Sequence, residues 1–168
     1  MEISENKDDI AEATKSVLEM LLSLMGVSAS VAPSTTLLVE GEEGTTDSVT
    51  LEIKGEDLGI LIGRRGQTLS CLQYIVRLIV GHQMEAWQPI TIDVEGYKRR
   101  RYDALQALAW RIAEQVKVKG LPFALEPMLA YERRVIHLTL ADHPDVTTQS
   151  SGEGEARKVV ILPKEQLT

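Results

Sequence analysis

The sequence predicts an α+β protein of two small domains, an α-β-β-α-α-β unit followed by an α-β-α-β-β unit. Three observations lead there. Apolar residues recur at three- and four-residue steps in some stretches and alternate strictly in others, the two periodicities of helices and half-buried strands. Composition is 43% apolar but only 4% aromatic, so the cores are built from Leu, Ile, Val and Ala. Near residue 96 the segment EGYKRRRYDAL breaks the pattern with four consecutive cations.

From Asp8 to Met25 the positions Ile10, Ala13, Val17, Leu21 and Leu24 mark an amphipathic helix, and Gly26 is its stop signal. Val27 to Val31 reads as a strand. Residues 32 to 48 hold Pro33 and the turn-prone EGEEGTTDS, a long acidic connection; Val49, Leu51 and Ile53 then alternate with Thr50, Glu52 and Lys54 as the second strand of an antiparallel pair. Glu56 to Ile62 is long enough for a short helix and Gly63 to Gly66 is a turn. Thr68 to His82 is a helix with apolar residues at 69, 72, 76 and 79, and 75 widening the stripe. Cys71 lies within that pattern and reads as a small buried hydrophobe; as the only cysteine it excludes an internal disulfide or a multi-cysteine metal site. Ile90, Ile92 and Val94 form the next strand.

The second unit opens with a helix from Lys98 to about Lys119, with Leu105, Leu108, Ile112 and Val116 on one face and Gly120 at its end. A short strand near Phe123 leads to Glu126-Pro127, where proline suits a first helical turn, and a helix to Leu140. Val146 to Ser150 and Lys158 to Leu162 read as strands joined across SGEGEA. The domains are therefore expected at residues 1–95 and 96–168.

The net charge of −7 is uneven. Residues 1 to 57 carry 3 Lys/Arg against 13 Asp/Glu, whereas residues 58 to 137 carry 12 against 7, a local net of +5. A polyanionic partner is thus compatible with the acidic total. The polar, acidic MEISENKDDI lacks the charge and apolar core of a signal peptide, and no apolar run approaches ~18 residues, so a cytoplasmic protein without membrane insertion is expected. His82, His137 and His143 have no H-E-x-x-H spacing and no G-x-S-x-G occurs. Gly59, Gly63 and Gly66 fit neither a Walker A loop nor the dinucleotide pattern. No catalytic residue, metal or cofactor is expected, and hence no enzyme.

The functional signal is the stretch ILIGRRGQTL, with Ile62, Gly63, Arg64, Arg65 and Gly66 between two helical runs. The tetrapeptide alone reads equally as a helix–helix turn with solvated arginines. In context it supplies glycines that let a backbone pass close, the N–H groups of a following helix start, and two phosphate-facing cations. This loop within an α-β-β-α-α-β order resembles a K-homology (KH) domain of the type II-like arrangement, whose Gly-x-x-Gly loop clamps a nucleic-acid backbone. All four loop positions match.

In YERRVIHLTL, Arg133 and His137 stand four residues apart on one helical face, with Tyr131, Val135 and Leu138 toward the other. A bare Arg-x-x-x-His also reads as a solvated arginine beside a stacking histidine. Ile136 and Leu140 lie close to the Arg/His side, so part of that face is expected to be covered. Followed by a strand, the turn SSGEGEAR and the strand KVVIL, the pattern resembles the R-3-H domain, a single-stranded nucleic-acid-binding module. The resemblance carries Arg133 and His137 over as phosphate contacts, with Arg157 and Lys158 as additions. The KRRRY segment, Lys98 to Tyr102, either extends a phosphate track or forms a solvated helix start, and the residues leave both open.

A KH domain followed by an R-3-H domain resembles the bacterial Jag family, also called KhpB or EloR, over nearly the whole chain. The resemblance implies a single-stranded RNA-binding post-transcriptional regulator linked to cell elongation and division. It also implies a homodimer, or a heterodimer with a small single-KH (KhpA-like) protein. A protein-interaction scaffold and single-stranded DNA binding are the alternatives. Family members commonly begin with a further Jag-N domain; this chain starts almost at the KH helix, so that domain's regulatory functions are not carried over.

Overall fold

The computed structural model describes residues 2–34, 49–85 and 89–164, divided into two compact units between Lys98 and Arg99. The acidic connection read from EGEEGTTDS lies outside the described residues.

Helix α1 (Glu2–Leu24) begins six residues ahead of the expected start, because Ile3 is the single apolar residue among those six. It ends in a Schellman arrangement: Gly26, at φ 68°, donates to the Ser23 carbonyl and Val27 to that of Leu22. Val27 is used in closing the helix, so strand β1 (Ala29–Pro33) starts two residues later than the alternation suggests. Strand β2 (Val49–Gly55) pairs antiparallel with β1 and parallel with β3 (Ile90–Val94), giving the order β1-β2-β3. Pro33 sits on the edge strand, where a missing N–H costs no ladder bond. A parallel neighbour requires a crossover. It runs through α2 (Gly59–Ile62), a 3-10 turn at Arg64–Gly66 and α3 (Gln67–Gln83).

Leu18 and Leu22 of α1 and Leu69, Leu72, Val76 and Val80 of α3 are buried against Leu51, Ile53, Ile90 and Ile92 of the sheet. Two polar side chains of α3 close the edge of β3: Gln73 Oε1 accepts the Ile92 N–H at 2.9 Å and Arg77 Nε donates to the Ile90 carbonyl at 2.6 Å. A free strand edge is thereby removed. The buried line of α3 corrects two expectations. Cys71 is exposed and Ile75 is 46% exposed, because at ~100° per residue they fall opposite Leu69, Leu72, Val76 and Val80. Tyr74 and Leu78 share that outer face.

In the second unit, α4 (Tyr97–Lys119, whose first two residues belong to the first unit) and α5 (Ala130–Thr139) accompany a three-stranded antiparallel sheet of order β4-β6-β5, from β4 (Phe123–Ala124), β5 (Val146–Ser151) and β6 (Lys158–Pro163). Leu105, Ile112 and Val116 of α4 form one core with Val135, Ile136 and Leu140 and with Val146, Val159 and Ile161 of the sheet. Helix α5 is shorter than Pro127 suggested. Its start is fixed by Glu132, whose Oε2 accepts the Leu129 N–H at 3.0 Å, while the Met128 N–H is held by the Arg157 carbonyl at 3.3 Å outside the helix. Ile136 and Leu140 are buried, so part of the Arg/His side is covered as expected, whereas Leu138, placed on the opposite, inner face, is 50% exposed.

Candidate nucleic-acid interface

The loop after α2 is shaped by three consecutive constraints. Gly63 donates to the Gly59 carbonyl at 2.9 Å and turns to φ 69°, ψ −171°; Arg65 takes φ 54°; Gly66 takes φ 77° and opens α3. A Cβ on Gly63 would overlap the Thr68 hydroxyl, and one on Gly66 would stand 2.9 Å from Cε1 of the Tyr97 ring. Glycine is thus required at both ends by backbone angle and by space. Arg64 is exposed, whereas Arg65, expected to be equally open, is half-buried in its left-handed conformation. Ile62 packs partly against the core, and Ile60 on the same short helix is exposed. No side chain caps α3 at Gly66; the Gln67 N–H is taken by the Arg64 carbonyl of the preceding turn, and the positive end of the helix dipole lies beside Arg64 and Arg65. The site is a close-approach surface with cations and a helix dipole of the sign that favours anions.

On α5, Arg133 and His137 are both half-buried. Arg133 Nη1 donates to the Met128 carbonyl at 2.8 Å. Both ring nitrogens of His137 are engaged: Nδ1 lies 2.7 Å from Thr148 Oγ1 and Nε2 lies 2.9 Å from Ser150 Oγ. Burial, and then the positive charge of Arg133, hold the imidazole below its usual pKa. Arg157 is exposed at the end of the β5–β6 turn, which includes Gly152 at φ 86° with room for a Cβ only 3.0 Å from the Ala156 carbonyl. Lys158 pairs with Ser151 and alternates with the buried Val159, which directs it to the sheet face away from that core.

The run Lys98–Arg101 is half committed to the fold, through Lys98 and Arg101, while Arg99 and Arg100 are exposed. Lys98 Nζ donates to Gln73 Oε1 at 3.0 Å, Arg99 pairs with Asp103 at 3.1 Å, and Arg101 Nε pairs at 2.6 Å with Glu132, a fully buried carboxylate. Sequence reasoning missed four residues that hold these sites: Tyr97 behind Gly66, Glu132 under α5, and Thr148 with Ser150 beside His137. For the last two a signal existed. They stand two apart in a strand, hence on one face, the face that their partners Ile161 and Val159 bury.

A family model of the KhpA/KhpB KH domain matches residues 17–90 and one of the R-3-H domain matches residues 103–163. An RNA-binding protein KhpB of Clostridium symbiosum is 36% identical over 163 residues, covering 97% of this chain and 70% of the relative. The RNA-binding protein KhpB of Bacillus subtilis is 32% identical over 157 residues, 92% of this chain and 74% of its own. The Streptococcus pneumoniae protein of that name is 30% identical over 114 residues, 68% of this chain and 35% of its own. Neither domain model is that of an enzyme. Among the described residues no helix is long and apolar enough to cross a membrane.

Proposed function

The chain belongs to the KhpB family, and from that premise we propose that it binds single-stranded RNA in the cytoplasm as a post-transcriptional regulator tied to cell elongation and division. Residues 1–95 act as the KH domain, with Gly63, Arg64, Arg65 and Gly66 clamping the sugar-phosphate backbone and Ile62 supporting the loop. Residues 96–168 act as the R-3-H domain, with Arg133, His137, Arg157 and Lys158 forming a second surface. The observation that carries the reading is the loop itself: two glycines at positive φ deliver two arginines to the uncapped start of α3.

Such a site reads backbone charge rather than base identity. Affinity should therefore fall with salt by about 0.7 log units of K per log unit of salt for each phosphate neutralised. Arg64→Asp combined with Arg65→Asp should remove most RNA binding and leave circular dichroism unchanged. A doubly substituted protein that binds RNA like the parent overturns the assignment. Because the 2′-hydroxyl separates RNA from DNA, competition by single-stranded DNA of matched sequence reads the discrimination directly.

A second role is supported by the outer face of α3. Tyr74, Ile75 and Leu78 are each about half exposed and stand together with Cys71. An apolar ridge of this kind favours pairing with a second KH helix, either in a homodimer or with a small single-KH protein of the KhpA type. Light scattering with and without RNA tests it. Ile75→Glu should reduce the molecular mass to that of the monomer, and an RNA-free parent already monomeric would remove the reading.

A further inference from the structure

The histidine of the second surface is not presented to a ligand as a bare cation. Its ring stands between two hydroxyls of β5, and both nitrogens are occupied at hydrogen-bond distance. From this arrangement we infer that Thr148 and Ser150 are RNA-phosphate ligands, and that His137 is a positioning residue which decides whether their hydroxyl protons point to the ring or to the phosphate. The inference rests on the proposed RNA-binding role of the R-3-H domain.

The argument is one of proton counting. A neutral imidazole carries one N–H and one lone pair, while a hydroxyl has one proton to give and two lone pairs. One hydroxyl must then donate to the ring and the other accept from it. Only the accepting hydroxyl keeps its proton for a third partner. An imidazolium donates from both nitrogens, both hydroxyls accept, and both protons turn outward. A phosphate oxygen is the partner that gains from this change, since it accepts only.

The surroundings suit that partner. Thr148 and Ser150 are half-buried, two residues apart on one strand face, and register places them opposite Ile161 and Val159, which offer no competing polar group. Arg133, one turn before His137 on α5, is anchored by one guanidinium nitrogen to the Met128 carbonyl, which fixes the plane of its remaining donors. The charged groups around the ring are few. On α5 they are Arg133, exposed Arg134, and Glu132, which is held by Arg101 of α4. On β5 there is none between Val146 and Ser151, the β5–β6 turn carries exposed Glu153, Glu155 and Arg157, and on β6 Lys158 points to the other sheet face. The ring's hydrogen-bond partners are the two hydroxyls and no carboxylate, so a bound phosphate meets a site that gains from protonation.

Linkage follows from the same count. Phosphate at the two hydroxyls favours the imidazolium, so RNA binding takes up a proton and raises the pKa of His137 from its lowered starting point. Affinity for long RNA rises as pH falls through that range.

The test uses the full chain, a long single-stranded oligouridylate, and NMR titration of the His137 ring with and without RNA. In the parent, RNA should raise the His137 pKa. Thr148→Val with Ser150→Ala should weaken long-strand binding about tenfold and abolish the RNA-induced shift. Thr148→Ser with Ser150→Thr, which keeps both hydroxyls, should retain affinity and shift; a purely structural pair would not link that rescue to the ring's titration. If the hydroxyl-free protein keeps the parent's affinity and shift, the ring meets phosphate itself and the inference falls while the RNA-binding reading stands. If Arg133→Ala leaves long-strand binding unchanged, the reading of the second domain fails and the inference fails with it. Should the double substitution not fold, Ser150→Ala alone gives the same comparison with a smaller loss.

Discussion

Gly66 combines two constraints that are separable by experiment. Its φ of 77° is costly for an L-residue, about 1–2 kcal/mol, and the Tyr97 ring occupies the space a Cβ would need. Gly66→Ala should destabilise the protein by about 2–3 kcal/mol in urea denaturation, and in a Tyr97→Ala background by only the backbone part. Equal losses in both backgrounds would show that the ring yields freely. The glycine requirement was legible in the sequence because GRRG needs a turn, but the aromatic behind it was not: Tyr97 is 31 positions away and nothing in its local pattern marks it. His137 offers a second residue-scale check. Its folded pKa is lowered, so at a pH between that value and the ordinary ~6.5 the unfolded chain binds a proton that the folded chain refuses, and stability falls on acidification through this window. The slope disappears below the folded pKa. His137→Gln should flatten it, measured as urea midpoints across that window without RNA.

At the scale of elements, the apolar period fixed which stretches become helices and strands, while polar side chains fixed their ends. Helix α5 illustrates this. Pro127 is a reasonable first-turn residue, yet the helix begins at Ala130 because Glu132 reaches back to the Leu129 N–H and also receives Arg101. That second partner lies 31 residues earlier in α4, beyond any local reading. The same distance problem hid the use of Gln73 and Arg77 to close the edge of β3. The outer face of α3 was misread for another reason: Ile75 satisfies helical spacing on either side of the stripe, and only the sheet's position decides which side is covered. The Arg101–Glu132 pair predicts an asymmetry. Arg101→Met strands a fully buried carboxylate and should cost about 3–5 kcal/mol, whereas Glu132→Gln removes the buried charge, leaves a partly exposed guanidinium and gives up one of the two accepted bonds, and should cost less. Chemical denaturation of the two variants decides it; equal losses would mean that the carboxylate's desolvation is not the dominant effect.

For the whole molecule, the question is what the two proposed backbone-reading surfaces would achieve together on one acidic chain. On the proposed reading both surfaces meet phosphates, so specific recognition is not what would raise their affinity. Linking them turns the second contact into an intramolecular event at high effective concentration, provided that one RNA spans both. The Arg-x-x-x-His module should therefore be invisible to an RNA too short to leave the KH loop. Arg133→Ala with His137→Ala is expected to leave binding of oligonucleotides of about four nucleotides, the length a KH groove clamps, nearly unchanged. The same protein should lose at least about tenfold on long single strands, within the range that tethering supplies. Arg64→Asp with Arg65→Asp should weaken both lengths, because the short RNA depends on the loop alone. Fluorescence anisotropy of short and long oligouridylates against the three proteins gives the pattern in one series. Equal losses on short and long RNA for the second-domain variant, with its fold intact, would show that Arg133 and His137 act on the KH site through the fold rather than by holding RNA.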